Sequence, residues 1–158
     1  EISECLVGSE MCIRDRVKAY SDDFFAEIVY KKKTMPHAVE ALEYLSSKYD
    51  LYILSNGFRE LQEQKMRSAG VDKYFKKVVL SEDIGVHKPF PEIFYFAMSA
   101  TQSELHTSLM IGDNWENDIA GAKDAGLGQV FYNVKKTTKF SFQPTGIIED
   151  WNEIGKIL

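Results

Sequence analysis

Three short stretches of this chain place chemically useful residues at turns. The first is Ser55-Asn56-Gly57, directly after the apolar run Leu51-Tyr52-Ile53-Leu54. A hydroxyl and backbone N–H groups at a strand-to-helix junction can hold a phosphate, because a helix start carries unpaired donors and partial positive charge. Gly57 lets the backbone approach a ligand closely. Ser and Asn are also the favoured helix caps, and taken alone these residues read more readily as a plain cap. The second stretch is Gly85-Val86-His87-Lys88-Pro89. Held between Gly85 and Pro89, Lys88 can bring a positive charge to a phosphate or a carboxylate, or stand as an ordinary solvated lysine. The third carries Asp113 and Asp118, five residues apart after the apolar run Leu109-Met110-Ile111. Two carboxylates on one loop suit a hard cation such as Mg2+, which takes oxygen ligands and keeps waters. Acids also suit helix starts, a role that Glu116 and Asn117 fit better than Asp113 does.

The elements that must position these residues follow from periodicity. Val17 to Lys32 reads as a helix, with Phe24, Phe25, Ile28 and Val29 at helical spacing. Pro36 opens a second helix to Lys48, with Val39, Leu42 and Leu45 on one side. Leu51–Leu54 is a continuous apolar run, the pattern of a strand buried on both faces of a parallel sheet. A helix over Phe58–Ala69 ends at Gly70, and Val78–Leu80 is the next strand. Pro91 starts a helix to Ala100, and Leu109–Ile111 is a third strand. A helix over Glu116–Ala125 is closed by Gly126, Gln129–Tyr132 is a fourth strand, and Gly146–Ile148 a short fifth before a last helix from Asp150. Strands alternating with helices predict an α/β fold with a mostly parallel sheet. In such sheets ligands bind beyond the carboxyl ends of the strands, where all three stretches lie. GxGxxG and GxxxxGK[ST] are both missing from the sequence, which removes the main support for a dinucleotide or P-loop site.

Composition narrows the field further. A chain of 158 residues, 44% hydrophobic, is long enough for one packed domain and too apolar for a disordered tail. No apolar run approaches the roughly 20 residues that span a bilayer. The net charge of −5 argues against a nucleic-acid partner, so Lys135, Lys136 and Lys139 with Phe140 and Phe142 read as a solvated loop. Cys5 and Cys12 show no metal spacing and no disulfide framework, which predicts a reducing, cytoplasmic setting.

Taken in order, ILSNG, GVHKP and IGDNWENDIAGAKDAG resemble the second, third and fourth motifs of the haloacid dehalogenase superfamily. SNGFRE followed by LSEDIGVHKP resembles its pyrimidine 5′-nucleotidase subgroup. The resemblance implies a Rossmann-like three-layer α/β/α core and a Mg2+-dependent phosphate monoester hydrolase working through an aspartyl-phosphate. Its substrate would be a small phosphorylated metabolite, a pyrimidine nucleoside 5′-monophosphate first, and the assembly a monomer or homodimer. It implies that Ser55, with the backbone at Asn56 and Gly57, binds the phosphoryl group, and that Lys88 pairs the nucleophile and the phosphate. It further implies that Asp113 ligates Mg2+, and that Asp118 orients Lys88 or joins the metal site. A sugar phosphate or phosphoglycolate is the alternative substrate, and a non-catalytic phosphate-binding module the alternative function.

One element of that pattern is missing. Family members carry the nucleophile and the acid/base in a DxD motif on the first strand, and no DxD preceded by an apolar strand occurs here. Residues 1–16 resemble translated sequencing-adapter sequence. The expected organisation is therefore a non-native segment over 1–16, a remnant of a helical cap over 17–33, and a core over 34–158 without its first strand. Such a chain is expected to be inactive and poorly stable.

Overall fold

The computed structural model describes residues 33–158. The predicted Val17–Lys32 helix and the foreign segment over 1–16 lie outside the described residues, as does the cap remnant apart from Lys33. The chain runs through α1 (Ala38–Ser46), β1 (Tyr52–Ser55), α2 (Arg59–Ala69), β2 (Lys77–Leu80), α3 (Pro91–Thr101) and β3 (Leu109–Gly112). A π-helical segment, Trp115–Ala120, then enters α4 (Gly121–Asp124), followed by β4 (Gly128–Tyr132), β5 (Gly146–Ile148) and a 3-10 helix over Trp151–Lys156.

Local chemistry sets most boundaries. Gly70 takes φ 67° and ends α2, its N–H returning to the carbonyls of Met66 and Arg67. Pro91 sits in the first turn of α3, where a missing N–H costs nothing. Three boundaries differ from expectation. α1 begins at Ala38 because His37 is left-handed, at φ 58°, with its Nδ1 2.7 Å from Asp150 Oδ1. The predicted Glu116–Ala125 helix opens as a π-helix because the Asn114 carbonyl accepts from both Asp118 N–H, at 2.9 Å, and Ile119 N–H, at 3.4 Å. The last helix is 3-10, closed at its start by a capping box between Asp150 and Glu153.

Every strand pairing is parallel: β1 with β2, β3 with β4, and β4 with β5. Side chains alternate between two apolar clusters, as a pleated sheet requires. Leu109 and Ile111 join Ala41 and Leu45 of α1 on one face, with Val130, Tyr132 and Ile148. Met110 and Leu54 join Ile93 and Phe94 of α3 on the other, with Ala122 of α4. This is the expected arrangement of helices over both faces of a parallel sheet.

The described strands nevertheless form two sheets, one of two strands and one of three. The Leu51 carbonyl accepts from Lys76 N–H at 2.9 Å, and the Ser108 carbonyl from Gly128 N–H at 3.3 Å. By backbone alternation, the peptide groups of Tyr52 and Leu54 point away from β2, and those of Leu109 and Ile111 away from β4. Both inner edges line one cavity of about 1410 Å³, with Leu45 and Phe94 among its walls. Tyr52–Leu54 and Leu109–Ile111 are consequently only half-buried, where the continuous apolar runs had predicted full burial on both faces. β4, flanked on both sides, is buried from Gln129 to Tyr132.

Candidate active site

At the carboxyl ends of β1 and β3 the chain makes one connected polar network. Its centre is Lys88, whose side chain is only 10% exposed. The ammonium donates to the Leu54 carbonyl at 2.9 Å and to Asp118 Oδ1 at 2.6 Å. Asp118, 8% exposed, accepts at its other oxygen from Asn114 N–H at 3.1 Å. An ammonium has three donors and the described residues take two, which leaves one for a ligand at the rim. Lysine is seldom buried to this degree unless paired, which sets Lys88 apart from the solvated lysine its sequence context also allowed.

Ser55, Asn56 and Gly57 follow immediately. They do not cap α2: its N-cap is Phe58, which makes no side-chain bond. Ser55 Oγ accepts from Gly57 N–H at 3.0 Å, so its own O–H proton is available to donate. That same bond commits the Gly57 N–H, so of the two backbone groups expected to face a phosphate only that of Asn56 remains. The Asn56 side chain is fully engaged elsewhere, as Oδ1 accepts from Lys88 N–H at 2.8 Å and Nδ2 donates to Lys88 O at 3.1 Å.

Asp113 is exposed at the end of β3, one residue before the Asn114 N–H that holds Asp118. No described residue hydrogen-bonds its carboxylate. The two acids thus differ: Asp113 presents an open carboxylate, while both oxygens of Asp118 already face protein donors. Mg2+ is commonly held by one or two carboxylates plus waters and a phosphate oxygen, and Asp113 fits that pattern. Asp118 fits the role of Lys88 partner better than that of direct ligand. Among the described residues there is no cluster of three or more His, Cys, Asp or Glu that would hold a metal by protein groups alone.

Two glycines of the third stretch, Gly112 and Gly121, shape this network in ways their place in the motif did not reveal. A Cβ on Gly112 would overlap the Asp118 side chain, so only glycine lets Asp118 fold back over the end of β3. A Cβ on Gly121 would stand 2.8 Å from the Pro89 carbonyl and 2.9 Å from Pro89 Cα, so α4 packs directly on the Lys88–Pro89 backbone. The signal in the sequence was the small pair Gly121-Ala122, 32 residues after Pro89, but nothing local says which backbone it meets. Trp115, between the two acids, packs at 4.9 and 4.8 Å centroid distance from Phe140 and Phe142. Those two aromatics therefore pack on Trp115 and are half-buried, while Lys135, Lys136 and Lys139 are exposed, so the solvated part of this loop is its lysines.

Arg59, beside the site in sequence, turns away from it. Its guanidinium meets Asp83 at 2.6 Å and Glu63 at 3.4 Å along a groove of about 660 Å³ at the outer edge of β2. The Leu80 N–H on Asp83 holds that carboxyl below its usual range, and Arg59 adds to the effect.

The sequence profile of the haloacid dehalogenase-like hydrolases matches residues 6–126. The chain belongs to the haloacid dehalogenase-like hydrolases. The match begins inside the segment read as foreign and ends before β4. Pyrimidine 5′-nucleotidase YjjG of Escherichia coli is 35% identical over 118 residues, covering 74% of this chain and 51% of that protein. Phosphoserine phosphatase of Thermus thermophilus is 31% identical over 121 residues, covering 74% and 47%. The chain thus spans about half the length of these curated relatives. Among solved structures, the HAD-hydrolase YfnB from Bacillus subtilis, bound to magnesium, superposes with a TM-score of 0.75 at 30% identity, over 80% of this chain and 56% of that one.

Proposed function

We propose that these residues form the phosphate- and cation-binding face of a Mg2+-dependent phosphate monoester hydrolase, with a pyrimidine nucleoside 5′-monophosphate as substrate. The observation that carries this reading is the buried Lys88 ammonium, held between Leu54 O and Asp118 with one donor to spare. The nucleotidase relative and the SNGFRE segment support the nucleotide. Mg2+, when bound, supplies positive charge that draws electron density from the phosphoryl oxygens.

The roles of the chain's own groups follow from their donors. The Ser55 hydroxyl and the Asn56 N–H donate to one side of the phosphoryl group. Lys88 donates from the other and offsets its charge. Asp118 keeps Lys88 in place, and Asp113 holds the cation with its waters. Preorganised donors in a partly dry site stabilise developing phosphoryl charge more than water does.

The covalent step needs a carboxylate nucleophile facing Lys88, and no described residue fills that position. We place it on a strand in the cavity between β1 and β3, where the peptide groups of Tyr52, Leu54, Leu109 and Ile111 point. On this reading the chain binds phosphate and releases none. The proposed setting is the cytoplasm, as a monomer or homodimer; no helix among the described residues is long and apolar enough to cross a membrane.

Calorimetric titration with inorganic phosphate and Mg2+ tests the binding face. Binding that is lost in Lys88→Met and weakened in Asp113→Asn is expected, and equal binding by all three chains would refute it. Phosphate release from nucleoside monophosphates by the purified chain would refute the reading that it carries no nucleophile.

A further inference from the structure

Asn56 commits its whole side chain to a single peptide. Its carboxamide accepts from the N–H of Lys88 at 2.8 Å and donates to the C=O of the same residue at 3.1 Å. The two residues stand 32 positions apart, on different strand loops. The side chain is exposed, so burial does not force it to find partners. Nor does it cap the following helix.

What the pair of hydrogen bonds fixes is the origin of the Lys88 side chain relative to β1. That strand also supplies the Leu54 carbonyl, which the Lys88 ammonium reaches at 2.9 Å. The lysine is thus held at both ends by one three-residue corner, Leu54 to Asn56. Gly121 packs on the same loop, with close backbone contact at Pro89. A long side chain aimed from a wandering backbone spreads its tip over several ångströms, and a two-point tether removes that freedom at its base. The geometry demands an amide. Aspartate has no donor for the Lys88 carbonyl, and glutamine adds a methylene that moves both polar atoms off the peptide.

We propose that Asn56 is a positioning residue, which sets where the Lys88 ammonium stands by holding the Lys88 peptide through both of its polar groups. The functional meaning rests on reading Lys88 as the group that meets a phosphoryl oxygen; the tether itself does not.

The experiment follows the Lys88 ammonium directly by proton–nitrogen NMR of the 15N-labelled chain. The parent gives a slowly exchanging ammonium signal that Lys88→Met removes. In Asn56→Ala its hydrogen exchange quickens by about tenfold, the effect of two ordinary hydrogen bonds lost at the base of the side chain. Asn56→Asp, which keeps the acceptor only, falls between. Leu45→Ala, in the cluster around α1, is the control for general loss of stability. It lowers the thermal midpoint and leaves the ammonium signal in place. Unchanged exchange in Asn56→Ala, the same quickening in Leu45→Ala, or no protected ammonium in the parent would each overturn the inference. Inorganic phosphate with Mg2+ is added in a separate arm. Failure of the parent to bind it refutes the phosphate reading alone, whereas the exchange data decide the tether independently.

Discussion

Replacing Lys88 by Met removes one half of a buried ion pair and leaves the other in place. Among the described residues Asp118 then keeps a single donor, the Asn114 N–H, on a carboxylate that is 8% exposed. Removing one partner of a buried pair costs about 3–5 kcal/mol, because an uncompensated charge remains in a poorly solvated place. The rim position lets some water in, so a loss of about 3 kcal/mol is expected. For a domain of this size that is a fall of roughly 6–12 °C in melting temperature. Asp118→Leu strands the ammonium instead, with only the Leu54 carbonyl left, and should cost a similar amount. Carrying both changes removes both charges together, and apolar replacement of an entire pair is often close to neutral. The double variant should therefore be less destabilised than the two single effects added, by about 2–3 kcal/mol of coupling. Urea unfolding of the parent, both single variants and the double variant measures this directly. Single costs below about 1 kcal/mol that simply add would show that Lys88 and Asp118 do not depend on each other. The argument that Lys88 is a held, charged group at the rim would then fail.

Other outcomes follow from the same contacts. Gly121→Ala should destabilise by about 1–3 kcal/mol, because its methyl would meet Pro89 backbone atoms that cannot rotate away; it should also weaken phosphate binding, and unchanged calorimetry would contradict the packing of α4 on the Lys88 loop. Asp150 has its carboxyl held below the usual range by the Asn152 N–H first and by His37 second. A depressed carboxyl stabilises the fold above its unfolded value of about 3.9 and ceases to do so as pH falls through the folded value. The melting temperatures of the parent and of Asp150→Asn should accordingly differ at pH 6 and converge below pH 4, a trend that acid titration by circular dichroism can check. Asp113→Asn should weaken Mg2+-dependent phosphate binding with little change in melting temperature, since no described residue bonds that carboxylate. A large drop in stability would mean that Asp113 is structural.

Much of the fold was legible because periodicity reports burial. Leu109, Ile111 and Met110 alternate between two clusters as a strand should, and Gly70 and Pro91 bound their helices by the rules of φ and missing N–H groups. Less legible were the π-helical opening at Trp115 and the start of α1. The first depends on a carbonyl shared by two N–H groups, and the second on His37 meeting Asp150, 113 residues away. Half-burial of β1 and β3 was not visible in their apolar runs, which show that a strand prefers to be covered and not that a neighbour covers it, although the expected lack of a first strand pointed that way.

For the site, the sequence by itself determined which functional groups are present and in what order: a hydroxyl turn, a lysine between Gly85 and Pro89, and two acids after a strand. Those are matters of residue type and spacing along one chain. Only the tertiary structure decided how they divide the work. It committed the Gly57 N–H to Ser55, turned Asp118 to Lys88 while Asp113 stayed open, and bound Asn56 to a loop 32 residues on. The physical reason is that a hydrogen bond depends on distance and direction in space, and neither is fixed by separation in sequence.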